Sequence, residues 1–208
     1  MIIIGYSGHA FVCCGVLHAV GNPVTAYCDV DEKSKNPFGL HFLGSEMTGE
    51  GFQAVMKQPF FVGVGDNHIR KKVFNHFAVL GRYAENAIHP SAIIDSSAKV
   101  ANSGVLIAAG VVINPLARVG NATICNTGCI IEHECNVADF AHIGPGAVLC
   151  GNVTVGELSF IGAGAVIKQG VEIGKNVTVG AGAVVLNNID DNCVVVGNPA
   201  HILKTEKK

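Results

Sequence analysis

The chain predicts two fold classes in series, a small parallel α/β domain over residues 1–83 and a parallel β-solenoid over residues 84–208. Three observations carry this. Short apolar runs alternate with helical segments through the first eighty residues. From Ile107 onward an aliphatic residue returns every six positions, at Ile113, Val119, Ile131, Val137, Ile143, Leu149, Val155, Ile161, Ile167, Ile173, Val179 and Val185, with Cys125 the one exception. Finally, 26 of 208 residues are glycine and only 14% are charged, against about 7% and about 25% in ordinary globular chains.

Taken in order, Ile2-Ile3-Ile4 reads as a first strand, and Gly5-Tyr6-Ser7-Gly8-His9 as a tight turn leading into a helix over Ala10 to Val20. A second strand runs from Pro23 to Cys28 and ends at Asp29. Ser45 to Lys57 is predicted helical, Phe60 to Val64 a buried strand, and Asn67 to Phe77 a third helix. Alternation of this kind builds a parallel sheet. The pattern changes between Tyr83 and His89. The six-residue period beyond it cannot be helical, because a step of about 600° scatters the aliphatics over three helix faces. Each glycine would also cost a helix interior about 0.8–1.0 kcal/mol. Short strands separated by corners satisfy the period, with glycine following the aliphatic at 120, 144, 156, 162, 174 and 180 as the residue a corner tolerates. Three strands make an 18-residue coil, and five or six coils fit between Ile88 and Ile189.

Several function classes are excluded. A formal charge of −2 does not suit a surface built to neutralise a nucleic-acid backbone or an anionic membrane. Mean hydropathy is +0.41, yet no run approaches the roughly 18 apolar residues of a spanning helix. Met1 and the isoleucines lack the basic region of a signal peptide. Eight cysteines contain no CxxC pair, so they are expected to be free, buried and apolar in a cytoplasmic protein.

Two constellations could carry chemistry. The glycine turn places backbone N–H groups at a helix start, where they can hold a pyrophosphate. Asp29 stands where such folds keep a ribose-binding carboxylate, and Gly63-Val-Gly65-Asp66-Asn67 adds a second loop at the same sheet edge. A plain strand-to-helix turn is the alternative. The second constellation is Asn126 through Glu132-His133-Glu134, followed by His142. A neutral imidazole beside a carboxylate is a good general base near pH 7; a solvated face is the alternative. His133 and His142 fall in different phases of the repeat, which disfavours zinc. His9, in the turn, stands out, whereas His18, His41, His68 and His76 have no evident partner and are expected at the surface.

The repeat, the closing Gly197-Asn198-Pro199-Ala200 and the front Gly5-Tyr-Ser-Gly-His9 together resemble one family. It is the sugar O- and N-acetyltransferases that pair a small Rossmann-like domain with a left-handed β-helix. The chain resembles bacillosamine-type UDP-4-amino-sugar acetyltransferases, and sialic-acid O-acetyltransferases and GDP-perosamine N-acetyltransferases share the architecture. The resemblance implies acetyl-CoA as co-substrate, no metal, direct transfer and a homotrimer with acetyl-CoA between adjacent β-helices. It further implies His133 as general base, Glu134 as the carboxylate raising its basicity, and Asn126 lining the site. His142, Gly151, Ala163 and Ala181 would contact acetyl-CoA, Gly151 through its N–H. Ser7, Gly8, His9, Asp29 and Gly65 would hold the nucleotide sugar. One departure is that this chain reads Asp29-Val30-Asp31 where bacillosamine enzymes tend to have two adjacent acidic residues. Readings from other classes are a metal-dependent β-helical hydratase and a non-catalytic binding protein.

Overall fold

The computed structural model describes residues 1–205. Its first part is a four-stranded parallel sheet in the order β3-β2-β1-β4, built from β1 (Ile2–Ile4), β2 (Ala26–Cys28), β3 (His41–Phe42) and β4 (Phe60–Val62). Helices α1 (Gly8–Ala19), α2 (Gly49–Lys57) and α3 (Asn67–Val79) connect and cover it. β1 is central and buried on both faces, which explains its uninterrupted isoleucines. Strand β3 was not expected, and α2 begins at Gly49 rather than Ser45. The Ser45 hydroxyl accepts the Met47 N–H at 3.1 Å and its carbonyl accepts from Thr48 at 3.5 Å, so a serine turn displaces the first helical turn. β4 stops at Val62, because Gly63 donates the last ladder bond to Ile4 and the chain then bends away.

From Ala87 the chain coils into a triangular prism of two-residue strands. Three parallel sheets form its sides, and in each the strands pair with the next coil, 19 residues on at the first rung, as in Ala87 with Leu106, and 18 residues on through the body of the prism, as in Cys125 with Ile143 and Ile131 with Leu149. The second residue of each strand points inward, as does the small residue before the strand. Ala117, Cys129, Cys135, Ala147 and Ala165 are all fully buried. A hairpin of Cys193–Val196 and His201–Thr205 closes the prism.

The three sides differ in their outward residues. On the first side these are Ala87, Leu106, Ile124, His142, Phe160 and Thr178. The first domain covers the upper part of this ladder, and one hydrophobic cluster runs from Ile3, Tyr6 and Leu17 into Leu106 and Ile124. On the second side they are Ile93, Val112, Ile130, Val148, Val166 and Val184, all aliphatic and none buried by the chain's own atoms. On the third side they are Lys99, Arg118, Asn136, Thr154 and Glu172.

The corners differ too. The first, between sides one and two, turns through Gly110, Gly128, Gly146, Gly164 and Gly182, all with positive φ. The second carries Pro115-Leu116, His133-Glu134 and Gly151-Asn152. The third places Ala122, Phe140, Leu158 and Asn176 in the left-handed region, and α3 lies along it. Asn67 Nδ2 donates to the Leu158 carbonyl at 2.8 Å, Phe74 meets the Phe140 ring edge-on at 5.4 Å, and Lys71 pairs with Glu157 at 2.6 Å.

The glycines at 120, 144, 156, 162, 174 and 180 are not the corner residues that the sequence suggested. None has positive φ, and a Cβ on any of them would strike the next coil or the closing strand. They allow close approach, and the turning is done two residues later.

Candidate active site

The first domain brings its two glycine loops together at the carboxyl end of β1 and β4. Gly5, at φ +80°, turns the chain off β1 and donates to Cys28. The Asp29 carboxylate ties this turn down, accepting the Tyr6 N–H at 2.9 Å and the Val30 N–H at 2.8 Å while pairing with Lys33 at 2.8 Å. Ser7 and Gly8 are exposed at the start of α1, and no atom lies within 4 Å of a Cβ built on Gly8. The His9 side chain packs on Gly65, where a Cβ would fall 3.3 Å from its own.

His9 then faces the β-helix. Its ring centroid lies 5.8 Å from that of His142, which projects outward from the first side. His142 is also packed edge-on against Phe160 at 4.9 Å, and its Nε2 meets Asn126 Nδ2 at 3.2 Å. The Asn126 carboxamide oxygen is occupied by the Thr127 N–H at 2.8 Å. Residues predicted separately for the acceptor, the base site and the cofactor thus meet in one place. Burial pushes His142 down to about 3, helped by the positive charge of Arg70 and by His9, with backbone at Gly65 acting weakly the other way. His9 falls to about 4, through burial and then Arg70. Both rings are neutral at pH 7. His9 Nε2 and His142 Nδ1 are buried without a hydrogen-bond partner, an arrangement that costs free energy unless a ligand atom completes it. Beside them a cleft of about 280 Å³ opens between Gly65, Asn67 and Phe160, Thr178.

His133 and Glu134 lie elsewhere, exposed on the second corner. Glu134 is left-handed at φ 61°, and its Oε2 stands 3.1 Å from His133 Nδ1. A proton on Nδ1 donated to that carboxylate leaves the Nε2 lone pair free. The ring lies over Gly151, so closely that a Cβ there would collide with Cε1 and Nε2. The Gly151 N–H has no acceptor among the described residues. Ala163 and Ala181 sit exposed on the first corner, each followed by a corner glycine. Within one chain, therefore, the His133 group on the second corner and the His9–His142 group on the first side are apart.

His68 has a partner after all, with its Nε2 2.9 Å from Asn176 Oδ1 across the domain junction. His18, His41 and His76 are exposed. A larger groove of about 750 Å³ follows the third side at Arg118, Asn136 and Thr154 and contains none of the expected site residues. Sequence reasoning took Asn67 only as part of the loop after β4 and missed Arg70 and Phe160. The one signal for Arg70 was its spacing from Asn67 and Phe74 along a single helix face; Phe160 had none beyond its place in the repeat.

Residues 1–77 match the PglD N-terminal domain, and residues 134–169 and 152–187 match the bacterial transferase hexapeptide of six repeats. Among solved structures, the chain is similar to perosamine N-acetyltransferase from Caulobacter crescentus, solved in complex with CoA and GDP-perosamine. Identity is 36%, with 98% of this chain and 96% of that one covered and a TM-score of 0.91. It is similar also to the acetyltransferase domain of PglB from Neisseria gonorrhoeae, in complex with acetyl coenzyme A, at 33% identity, 97% and 98% coverage and TM-score 0.89. WeeI from Acinetobacter baumannii, at 22% identity and TM-score 0.85, shares the fold.

Proposed function

The chain belongs to the hexapeptide-repeat sugar N-acetyltransferases, acyltransferases built on a left-handed β-helix that use acetyl-CoA, and from that premise we propose that it acetylates the 4-amino group of a UDP-4-amino-4,6-dideoxy-N-acetyl-hexosamine. The match of residues 1–77 to the PglD N-terminal domain, with the resemblance of the glycine turn to bacillosamine enzymes, supports this acceptor. A GDP-perosamine-type amino sugar is the second reading, favoured by the 35–36% identity and TM-score of 0.91 to the Caulobacter enzyme.

His133 is the general base of the proposed reaction. The amine must be neutral to attack the thioester carbonyl, and it sheds a proton as the C–N bond forms. With Nδ1 held by Glu134 at 3.1 Å, Nε2 is the nitrogen that takes that proton. The unpaired Gly151 N–H beneath the ring is suited to receive the oxyanion; removing one such donor commonly costs about 2.7–4 kcal/mol. CoA thiolate leaves and is protonated, and no acyl-enzyme forms. His142, Ala163 and Ala181 contact acetyl-CoA, while Ser7, Gly8, His9 and Gly65 hold the nucleotide sugar. Asp29, already bonded to the Tyr6 and Val30 N–H groups, shapes the turn as well as facing the nucleotide.

The acting unit is a homotrimer. The aliphatic ladder from Ile93 to Val184 is a whole prism side uncovered by its own chain, and burial of such a side against further copies is strongly favourable. In a closed ring whose axis faces that side, the first corner of one copy meets the second corner of the next. Ala163, Ala181, Asn126 and His142 of one chain then stand opposite His133 and Gly151 of its neighbour, with acetyl-CoA between.

Chromatographic detection of free CoA tests the reading, since it is blind to the protein's own thiols, of which Cys150 is partly exposed. CoA release that requires the UDP-4-amino sugar supports it; release with a GDP-linked amino sugar alone selects the second reading. In the same assay His133→Ala is expected to bind acetyl-CoA normally and lose at least about 100-fold in turnover. Near-normal turnover would remove His133 from its role.

A further inference from the structure

We propose that Arg70 is a positioning residue for acetyl transfer, the fork that sets Gly65 and His9 over His142 by joining the first domain to two successive coils. The inference rests on the reading above.

Arg70 lies on α3 and is 1% exposed. Its side chain carries five N–H donors in a rigid plane, and all five are used. Nε donates to the Ala122 carbonyl at 2.8 Å. One terminal nitrogen donates to Val64 at 3.1 Å and Gly65 at 3.0 Å, the other to Asn67 Oδ1 at 2.7 Å and Phe140 at 2.8 Å. No carboxylate is among these partners, so the guanidinium is chosen for its geometry and not to neutralise an acid.

The partners fall into two sets. Val64 and Gly65 belong to the loop between β4 and α3 on which the His9 side chain packs. Ala122 and Phe140 are left-handed corner residues 18 apart, one coil above the other, and their carbonyls point out of the prism toward α3. The third corner presents the same feature again at Leu158 and Asn176. A helix could dock on such a ladder one coil too high or too low, a slip of about 4.8 Å. The loop would then stand over Ile124 or Phe160, the rungs on either side of His142. Arg70 resists this slip because its fork spans both sets at once. Neighbouring pairs agree on the register, with Phe74 on Phe140, Lys71 on Glu157 and His68 on Asn176.

Arg70→Lys keeps the charge and loses the fork, retaining at most three donors. In the full-length protein it is expected to stay folded and to bind acetyl-CoA within about twofold of wild type by calorimetry. Its kcat/KM for the amino sugar should fall at least about tenfold, chiefly through KM, as misplacement by an ångström can cost that much or more. Arg70→Met, which removes charge as well, serves as the second variant. Should Arg70→Lys retain full kcat/KM while Arg70→Met loses activity in step with its melting temperature, Arg70 matters only for stability and the proposal fails. Equal losses of acetyl-CoA binding and sugar turnover in Arg70→Lys would also overturn it. A wild-type protein that releases no CoA with any amino sugar would instead defeat the functional reading on which the inference stands.

Discussion

Two imidazoles meet where the domains join, and each is held neutral by its surroundings. His142 and His9 have folded-state values of about 3 and about 4, against about 6.5 in an unfolded chain. Between those limits the unfolded chain binds protons that the folded chain refuses. Stability is therefore expected to fall as pH drops below about 6.5, by up to about 1.4 kcal/mol per pH unit for each ring. Denaturant midpoints at pH 7, 6 and 5 measure this, and His142→Gln should flatten the slope. A midpoint unchanged from pH 7 to pH 5 would contradict the burial of both rings. Both histidines were conspicuous in the sequence, one by its turn and the other by its distance from His133. Their meeting was not, because 133 residues separate them and only the packing of the first domain on the first side of the prism brings them within 5.8 Å. His68 is exposed as expected, but its partner Asn176 was out of view for the same reason, lying on the far domain.

At the scale of the element, the β-helix was the most legible part, since each rung repeats one local contact and the six-residue period records it directly. What the period left ambiguous was which glycine does what. Gly164, at φ +65° with open space around its Cβ position, supplies the turn. Gly162 has ordinary φ, but a Cβ there would stand 2.5 Å from the Ala181 nitrogen and 2.6 Å from the Val179 oxygen. Gly162→Ala is thus expected to destabilise the protein by about 1–3 kcal/mol through overpacking of backbone that cannot yield. Gly164→Asn, whose side chain tolerates the left-handed region, should cost less. Thermal unfolding of the two variants makes the comparison, and the reverse order would refute the assignment of roles. Strand β3 escaped notice because it is a two-residue edge strand beginning with a solvent-exposed histidine, too short to show any alternation.

For the whole molecule, the three sides of the prism differ in kind: one carries the first domain, one presents the aliphatic ladder that the proposed trimer would bury, and one faces water with polar residues. That division was written in the outward residues, but the first domain's own elements gave no hint of which side it would cover. Val166→Glu places a charge in the middle of the uncovered aliphatic side, where desolvating it is costly. Light scattering is expected to show dissociated but folded chains, and CoA release should be lost with assembly. An assembled variant, or a monomer with full turnover, would refute the composite site. The docking of α3 on a repeating corner has a further consequence for how such a chain can change length over evolution. Three rungs of the first side, at Ala87, Leu106 and Ile124, stand above His142, and the short connection from Val79 to Ala87 leaves no slack to span a fourth. Duplication of an 18-residue coil above the site would carry His142 out of reach of His9, whereas duplication of a coil below Asn176 would leave every rung of the junction where it stands. The prism is therefore a ruler anchored at its upper end, free to grow only from the lower one.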